Sequence, residues 1–279
     1  MNFVLTIQFS RPTISCAIFD CVHKQIKIYV HTYIYWQSGV RSFYYLLYRW
    51  TWAFFFISVF IASLVLQLSG GKFFIFLTNW GIIACLLAQL SGTVLATRWY
   101  YNLGNARSAV MEGKILKEPP PTSRLIKFYW LVHGAALALA LVITTVYWTF
   151  LHGKMDKPML YPVMSFITHC LNSVFMLVDF WLVAFPVRLL HIIYWMLLPI
   201  FFYIFTVIYY FAGGTDEYGH HYVYPILDWT NPMRAVTTFA GVFILYIIYG
   251  IALFLLSKFK RYLSRTVSAM DSPHAIGLI

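Results

Sequence analysis

A hydrophobic stretch between residues 166 and 179 carries polar side chains that could do chemistry. His169, Asn172, Met176 and Asp179 recur at i, i+3, i+7 and i+10. An α-helix would place all four on one face and keep its other faces apolar. If that helix spans a membrane, the polar face has to turn toward protein or a hydrated cavity, because hydrocarbon offers no hydrogen-bond partner. The pattern therefore predicts a buried polar site.

A second hydrophobic stretch, at residues 73–97, carries a matching stripe of polar and small residues. Its members, Thr78, Cys85, Gln89 and Gly92, repeat at i, i+7, i+11 and i+14, which is a helical spacing. Thr78 lies at a depth comparable to that of His169 if both stretches enter the membrane from the same side. A threonine hydroxyl needs a nearby base to act as a nucleophile, and His169 is the candidate for that role.

The amides of Asn79 and Asn172 could donate hydrogen bonds to an oxyanion formed beside this pair. We expect Thr78, Asn79, His169 and Asn172 to line one partly hydrated pocket in the half of the membrane away from the cytosol, with room for a lipid chain or ester. The alternative is structural, because polar side chains inside membrane spans commonly join helices through hydrogen bonds.

Asp179 is a further predicted pocket-lining residue, and an acid inside a span needs a partner. Arg188 and His133 lie toward the same side of the membrane and could pair with it. Asp179 could form a structural ion pair, remain protonated, or relay protons. No chain of titratable groups surrounds it, and we detect no internal repeat of the kind found in many transporters. Proton-coupled transport is therefore disfavoured.

The sequence predicts no metal site and no other cofactor. The four cysteines, Cys16, Cys21, Cys85 and Cys170, form no Cys-x-x-Cys pair. His220 and His221 lie beside Asp216 and Glu217, but adjacent histidines on one loop do not define a third ligand. The segment that follows, residues 224–229, is more typical of an aromatic plug at the membrane interface.

Composition indicates an integral membrane protein. Of 279 residues, 61% are hydrophobic and only 10% are charged, with a mean hydropathy of +0.72. A soluble domain carries roughly 25% charged residues. In a membrane protein, the basic residues behind the net charge of +11 set the orientation and attract anionic lipid. We therefore expect no nucleic-acid partner.

Six apolar stretches are long enough to cross a bilayer as helices. They cover residues 44–68, 73–97, 128–151, 161–185, 190–212 and 233–256, so the predicted fold class is all-α, a polytopic bundle of about six transmembrane helices. Residues 1–43 form a cytosolic N-terminal arm and residues 257–279 a basic cytosolic tail. Arg49 lies among aromatic residues at the start of the first span, where we expect its side chain to reach the headgroups.

The distribution of basic residues predicts the orientation. With both termini in the cytosol, 15 of the 20 Lys and Arg residues lie in cytosolic segments, Arg49 lies at that border, and four lie opposite. The basic segments should attract anionic lipid at the cytosolic face. The sequence is compatible with the plasma membrane or the endoplasmic reticulum.

Four motifs in matching order resemble the rolling stone family of multipass membrane proteins over about residues 40–260. They are Tyr48-Arg49-Trp50, Phe76-Leu77-Thr78-Asn79-Trp80-Gly81, His169-Cys170-Leu171-Asn172 and Tyr224-Pro225-Ile226-Leu227-Asp228-Trp229. Rolling stone is associated with myoblast fusion in insects. The resemblance therefore implies a role in membrane organisation, cell fusion or lipid handling.

The androgen-induced and androgen-dependent membrane proteins are more distantly similar. They hydrolyse fatty acid esters of hydroxy fatty acids with an intramembrane Thr and His, and their Phe-Leu-Thr context matches Phe76-Leu77-Thr78. Their second motif is His-Gly-Met-His-Thr, with the later His catalytic. Aligned on the first His, this sequence has His169 at the first position and Asn172 at the catalytic one. The alternative function is thus an intramembrane lipid esterase using Thr78 and His169.

Overall fold

The computed structural model describes residues 43–67, 69–111, 124–152, 162–183, 187–216 and 218–270. The predicted N-terminal arm, apart from residue 43, lies outside these ranges, as do the last nine residues of the predicted tail. Glu217 and residues 112–123, which include the proline run, lie outside them as well.

Within the described ranges, six helices are long and apolar enough to cross a membrane. They are α1 (Phe43–Gln67), α2 (Leu77–Met111), α3 (Arg124–Leu151), α4 (Pro162–Leu182), α5 (His191–Phe211) and α6 (Pro232–Met270). Helix α3 ends in a π-helical turn at Tyr147–Leu151, and α4 contains one at Ile167–Leu171. The predicted all-α fold and multi-pass architecture are confirmed.

Consecutive helices alternate in direction, and contacts at both ends of the bundle establish this. At one end, the Lys260 ammonium near the end of α6 donates to the backbone carbonyls of Phe180 and Val183, at the end of α4, at 2.8 and 2.7 Å. At the other end, Lys72, between α1 and α2, donates to Thr215 Oγ1 after α5 at 3.2 Å. We call the end where α1 begins and α6 ends the basic end, and the other the far end.

Helix α3 lies at the centre of the bundle, with contacts to α2, α4, α5 and α6. Five consecutive residues, 136–140, are almost completely buried. Their sequence, Ala-Leu-Ala-Leu-Ala, alternates small and large side chains. A helix that is buried on every face has to be apolar all round, and its alanines let neighbouring helices approach closely.

Large apolar side chains on the outer helices are exposed. Examples are Phe54 and Val65 on α1, Ile193 on α5, and Ile248 and Leu255 on α6. A soluble protein rarely exposes apolar surface on this scale, so the outer faces of these helices are suited to lipid contact.

The start of α2 differs from the predicted boundary. A short 3₁₀ helix, Ser69–Ile75, precedes it, and α2 begins at Leu77 rather than at residue 73. Side chains from the first turn of α2 hold this 3₁₀ helix in place, since Asn79 Nδ2 donates to Phe73 O at 2.7 Å and Trp80 Nε1 donates to Phe74 O at 2.8 Å. Hydropathy does not detect this break because residues 73–76, which precede α2, are as apolar as the helix itself.

Helix α6 begins after an asparagine cap, in which Asn231 Oδ1 accepts a hydrogen bond from the Arg234 N–H at 3.2 Å. Pro232 occupies its first position, where a missing N–H has no consequence. The helix continues to Met270, well past residue 256, where the apolar stretch ends. The polar residues after 256 therefore extend the helix instead of ending it.

Candidate active site

Thr78 lies in the first turn of α2, near the far end of the bundle. Its Oγ1 is 3.1 Å from Nε2 of His169 on α4. The two side chains lie 91 positions apart in the chain, and they meet because α2 and α4 both begin at the far end. The geometry is that of a hydroxyl in hydrogen-bond contact with a base.

His169 is oriented by hydrogen bonds on its other nitrogen. Nδ1 lies 2.8 Å from the backbone carbonyl of Ser165 and 3.0 Å from Thr168 Oγ1. A carbonyl only accepts hydrogen bonds, so this short contact assigns the ring proton to Nδ1. Nε2 then carries a lone pair, and Thr78 is the donor in the contact between them.

The π-helical turn at Ile167–Leu171 contains His169. π-Helical turns in α-helices occur frequently at functional sites, because the extra residue changes the direction of the side chains around it. The second π-helical turn, at the end of α3, contains Tyr147. The Tyr147 ring stacks on the His169 ring with centroids 3.8 Å apart and an interplanar angle of 18°.

The imidazole is therefore held on several sides. Tyr147 covers one face, and its hydroxyl lies 2.8 Å from Ser165 Oγ. Trp148 Nε1 donates to the His169 carbonyl at 3.2 Å. These contacts restrict rotation of the ring and keep Nε2 directed at Thr78.

Tyr224 reaches the same place from the loop between α5 and α6. Its hydroxyl accepts a hydrogen bond at 2.9 Å from the N–H of Leu77, the residue next to Thr78, and both Tyr224 and Thr78 line the same cavity. Burial raises the pKa of Tyr224 to about 12, although hydrogen bonds from Thr78 and Leu77 offset part of this effect. The phenol is therefore neutral at physiological pH.

The beginning of this loop is fixed by polar contacts. The Lys72 ammonium donates to the Asp216 carbonyl as well as to Thr215. The Asp216 carboxylate accepts from the N–H groups of Tyr218 and His220, and its Oδ2 lies 2.8 Å from His220 Nδ1. Burial alone would raise the pKa of Asp216, but these hydrogen bonds outweigh it and lower the pKa below its ordinary value.

A cavity of about 50 Å³ lies beside the Thr78–His169 contact. Thr78, His169 and Tyr224 contribute to its lining. Most of the remaining lining is aliphatic or aromatic and comes from α3, α5, α6 and the loop before α6; it includes Val142, Val146, Pro199, Phe202, Leu227 and Phe239. The site thus combines a few polar groups with an apolar wall.

Asn79 and Asn172 are buried close by but do not line this cavity. The Asn79 amide donates to the Phe73 carbonyl, and Asn172 lies next to the thiol of Cys85. Asn79 follows Thr78 by one residue, which in a helix turns its side chain by about 100°, and Asn172 directly follows the π-helical turn that contains His169. The structure places Thr78 and His169 together, with Tyr224 as the third polar group instead of either amide.

Asp179 belongs to a separate polar cluster, nearer the basic end. Its carboxylate contacts Arg49 Nη1 at 2.7 Å, His133 Nε2 at 2.8 Å, Gln89 Nε2 at 2.9 Å and the Tyr48 hydroxyl at 2.8 Å. These partners come from α1, α2 and α3, so the cluster joins four helices. Asp179 does not line the cavity.

The expectation that Arg49 reaches the lipid headgroups is wrong. Its side chain is completely buried and forms an ion pair with Asp179. The sequence predicts two possible partners for Asp179. His133 contacts its carboxylate, whereas Arg188 is exposed. Arg49 fits inside because Gly92 has no side chain, and a Cβ there would lie 1.5 Å from Arg49 Nη2. Aromatic neighbours in sequence indicate an interfacial position, but they do not reveal this space.

Sequence reasoning missed the polar roles of Tyr147 and Tyr224. The sequence predicts an aromatic plug at residues 224–229, and Val223, Tyr224 and Leu227 pack in a buried cluster at the far end. The available signal is a tyrosine beside a proline in the apolar segment 223–227 of a polar loop. Its hydroxyl partner, Leu77, lies 147 residues away in the chain, so the sequence alone could not identify it.

Comparisons with known proteins identify the family of this chain. The family model described as protein rolling stone matches residues 8–279. Protein rolling stone of Drosophila melanogaster is 51% identical over 244 residues, which cover 88% of this chain and 88% of that protein. No solved structure is significantly similar. The chain belongs to the rolling stone family.

Proposed function

We propose that this protein handles lipids as an intramembrane ester hydrolase, with Thr78 as the nucleophile and His169 as the general base. One observation supports this most strongly: Thr78 Oγ1 lies 3.1 Å from His169 Nε2 while Ser165 O holds Nδ1 at 2.8 Å. A hydroxyl, an imidazole and a carbonyl acceptor in this order reproduce the roles of a hydrolase triad.

The reaction follows from these positions. His169 Nε2 takes the Thr78 proton as Oγ1 attacks the ester carbonyl carbon, giving a tetrahedral oxyanion. Nε2 then returns the proton to the departing alkoxide, which leaves as the alcohol, and the acyl group remains on Thr78. Water, deprotonated by the same nitrogen, attacks this acyl ester and releases the fatty acid, which restores the Thr78 hydroxyl.

The substrate class follows from the surroundings of the site. The cavity wall is apolar, and the site lies in helices that are suited to a bilayer. An ester dissolved in lipid can approach laterally, whereas a charged, water-soluble substrate would have to leave water. We therefore propose fatty acid esters of hydroxy fatty acids, the substrates of the more distantly similar hydrolases, as the first class to test.

His169 occupies the first histidine position of the hydrolase motif, with Asn172 at the later one. That difference of three residues would place a base roughly 4.5 Å away along a regular helix. In this chain, however, the contact with Thr78 is made by His169 itself. We propose that His169 replaces the later histidine as the base.

Hydrolysis by purified protein tests this proposal. We expect a palmitic acid ester of hydroxystearic acid to be hydrolysed, and Thr78→Ala and His169→Ala each to lower kcat by at least 10³-fold, as expected for a nucleophile and its base. Thr149→Ala is the matched control, because Thr149 is an exposed threonine of α3 and should leave turnover unchanged. Equal turnover in wild type and Thr78→Ala would reject Thr78 as the nucleophile.

A role in membrane organisation or myoblast-type cell fusion is the second candidate, supported by the 51% identity to protein rolling stone. Expression in fusion-competent myoblasts lacking the endogenous family member tests it through the fraction of nuclei in fused cells. If fusion depends on hydrolysis, Thr78→Ala should fail to restore it and Thr149→Ala should succeed. Restoration by both variants would separate the fusion role from the Thr78 site, and restoration by neither variant nor wild type would reject it.

A further inference from the structure

An ester hydrolase needs hydrogen-bond donors where negative charge develops on the carbonyl oxygen. The amides of Asn79 and Asn172 were the candidates in the sequence, but both are directed elsewhere. Asn79 donates to Phe73 O, and Asn172 neighbours Cys85. Another polar group has to supply this donor if Thr78 is the nucleophile.

Tyr224 is placed to supply it. Its side chain is buried, with 8% of its surface exposed, and it lines the same cavity as Thr78 and His169. The ring is fixed between Phe76 and Phe202, with centroid distances of 5.9 and 6.5 Å. Its hydroxyl is therefore held at one position beside the nucleophile.

The hydrogen bonds around this hydroxyl have a defined direction. The Leu77 N–H donates to Tyr224 Oη at 2.9 Å, so the phenol proton is directed to another acceptor. Thr78 donates its own proton to His169 Nε2 at 3.1 Å. The Leu77 N–H polarises the Tyr224 O–H, whose proton remains available to an acceptor in the cavity.

We infer that Tyr224 is a third catalytic residue, whose O–H donates to the ester carbonyl oxygen as Thr78 attacks the carbonyl carbon. This inference rests on the proposed function. When the ester enters, its carbonyl oxygen accepts a hydrogen bond from Tyr224, and the Leu77 N–H continues to polarise the phenol.

The phenol acts as a neutral donor in this step. Burial raises the pKa of Tyr224 to about 12, so the hydroxyl keeps its proton throughout the physiological range. The phenol donates a hydrogen bond to the oxyanion without transferring its proton. When the oxyanion collapses, the phenol keeps its proton, and no atom of Tyr224 is consumed.

Tyr224→Phe tests the inference in the purified full-length protein. The substitution keeps the ring and removes the donor. With the palmitic acid ester of hydroxystearic acid, we expect kcat to fall by about 10²–10³-fold, the effect of removing one oxyanion donor, and KM to change by less than about threefold. Tyr222→Phe is the matched control, because it removes a hydroxyl from the same loop outside the cavity lining and should keep wild-type kcat.

The outcomes separate the two proposals. If Thr78→Ala abolishes turnover while Tyr224→Phe keeps kcat within about threefold of wild type, Tyr224 is not the oxyanion donor and the Thr78–His169 proposal stands. If wild type shows no Thr78-dependent turnover, both proposals are rejected. A fall in kcat that accompanies a comparable loss of folded protein would reflect structure, so thermal unfolding of each variant is measured in the same detergent.

A second measurement covers the case in which Tyr224→Phe does not fold. Incorporation of 3,5-difluorotyrosine at position 224 keeps both the ring and the hydroxyl but lowers the pKa of the phenol. We expect kcat to decline on the alkaline side at a lower pH than in wild type, because a phenolate cannot donate. An unchanged alkaline limb would overturn the role of Tyr224.

Discussion

The position of a side chain inside this bundle depends more on its neighbours in space than on its residue type. Arg49 has the type and sequence context of a headgroup residue, yet it is completely buried against Asp179. Three hydrogen-bond donors besides Arg49 contact that carboxylate, which offsets part of the desolvation of the charges. The space for the guanidinium comes from Gly92, and the Tyr129 ring lies 5.6 Å from Arg49 Cζ.

Gly92→Ala should therefore destabilise the protein. The new Cβ would lie 1.5 Å from Arg49 Nη2 and 2.9 Å from the Tyr129 ring, so Arg49 has to move and weaken its ion pair. Overpacking costs about 1–3 kcal/mol, and disrupting a buried ion pair costs about 3–5 kcal/mol. We expect the free energy of unfolding, measured in detergent, to fall by about 1–5 kcal/mol.

Gly241→Ala provides the control for this prediction. Gly241 is a helical glycine of α6 with open space around its Cβ position. Alanine there should leave stability unchanged or raise it by up to about 1 kcal/mol. Equal stability of the two variants would mean that Gly92 is not required for the Arg49 contact.

At the level of helices, hydropathy located all six spans but not their ends. The apolar runs identify α1 to α6 because a span needs about 20 apolar residues. The same measure could not separate the 3₁₀ helix Ser69–Ile75 from α2, nor show that α6 continues to Met270. Those features depend on side-chain to backbone hydrogen bonds and on helix propensity, which a hydropathy average does not contain.

The relation between α2 and α4 was more predictable than the two π-helical turns. Comparable depth on two helices entering from one side predicted that Thr78 and His169 could meet, and their side chains are 3.1 Å apart. The turns at Tyr147–Leu151 and Ile167–Leu171 have no sequence signature of comparable strength. Each turn changes the direction of the side chains around it, and the cavity lining includes His169 and Tyr147 but neither Asn79 nor Asn172.

For the whole molecule, we propose that the basic end faces the cytosol, with both termini on that side. The proposal rests on the excess of Lys and Arg predicted for that side. Exposed Lys258 near the end of α6 is available to anionic lipid, whereas Lys260 is bonded to two α4 carbonyls. Attraction to anionic lipid should therefore come from Lys258 and its neighbours rather than from Lys260.

A C-terminal epitope tag tests this orientation. In intact cells the tag should resist added protease and antibody, and it should become accessible once the plasma membrane is permeabilised. A tag in the loop after α5, at the far end, is the control. At the surface of intact cells this tag should be accessible to added protease and antibody. Accessibility of the C-terminal tag in intact cells would contradict the proposed orientation.

The central claim is that Thr78 is a nucleophile activated by His169, and covalent labelling measures this directly. A fluorophosphonate probe should react with purified wild-type protein, with Thr78 Oγ1 displacing fluoride from phosphorus and His169 accepting the threonine proton. Tandem mass spectrometry should locate the adduct on Thr78, with labelling lost in Thr78→Ala and His169→Ala and retained in Thr149→Ala. An adduct on another residue, or labelling that persists in Thr78→Ala, would contradict the account.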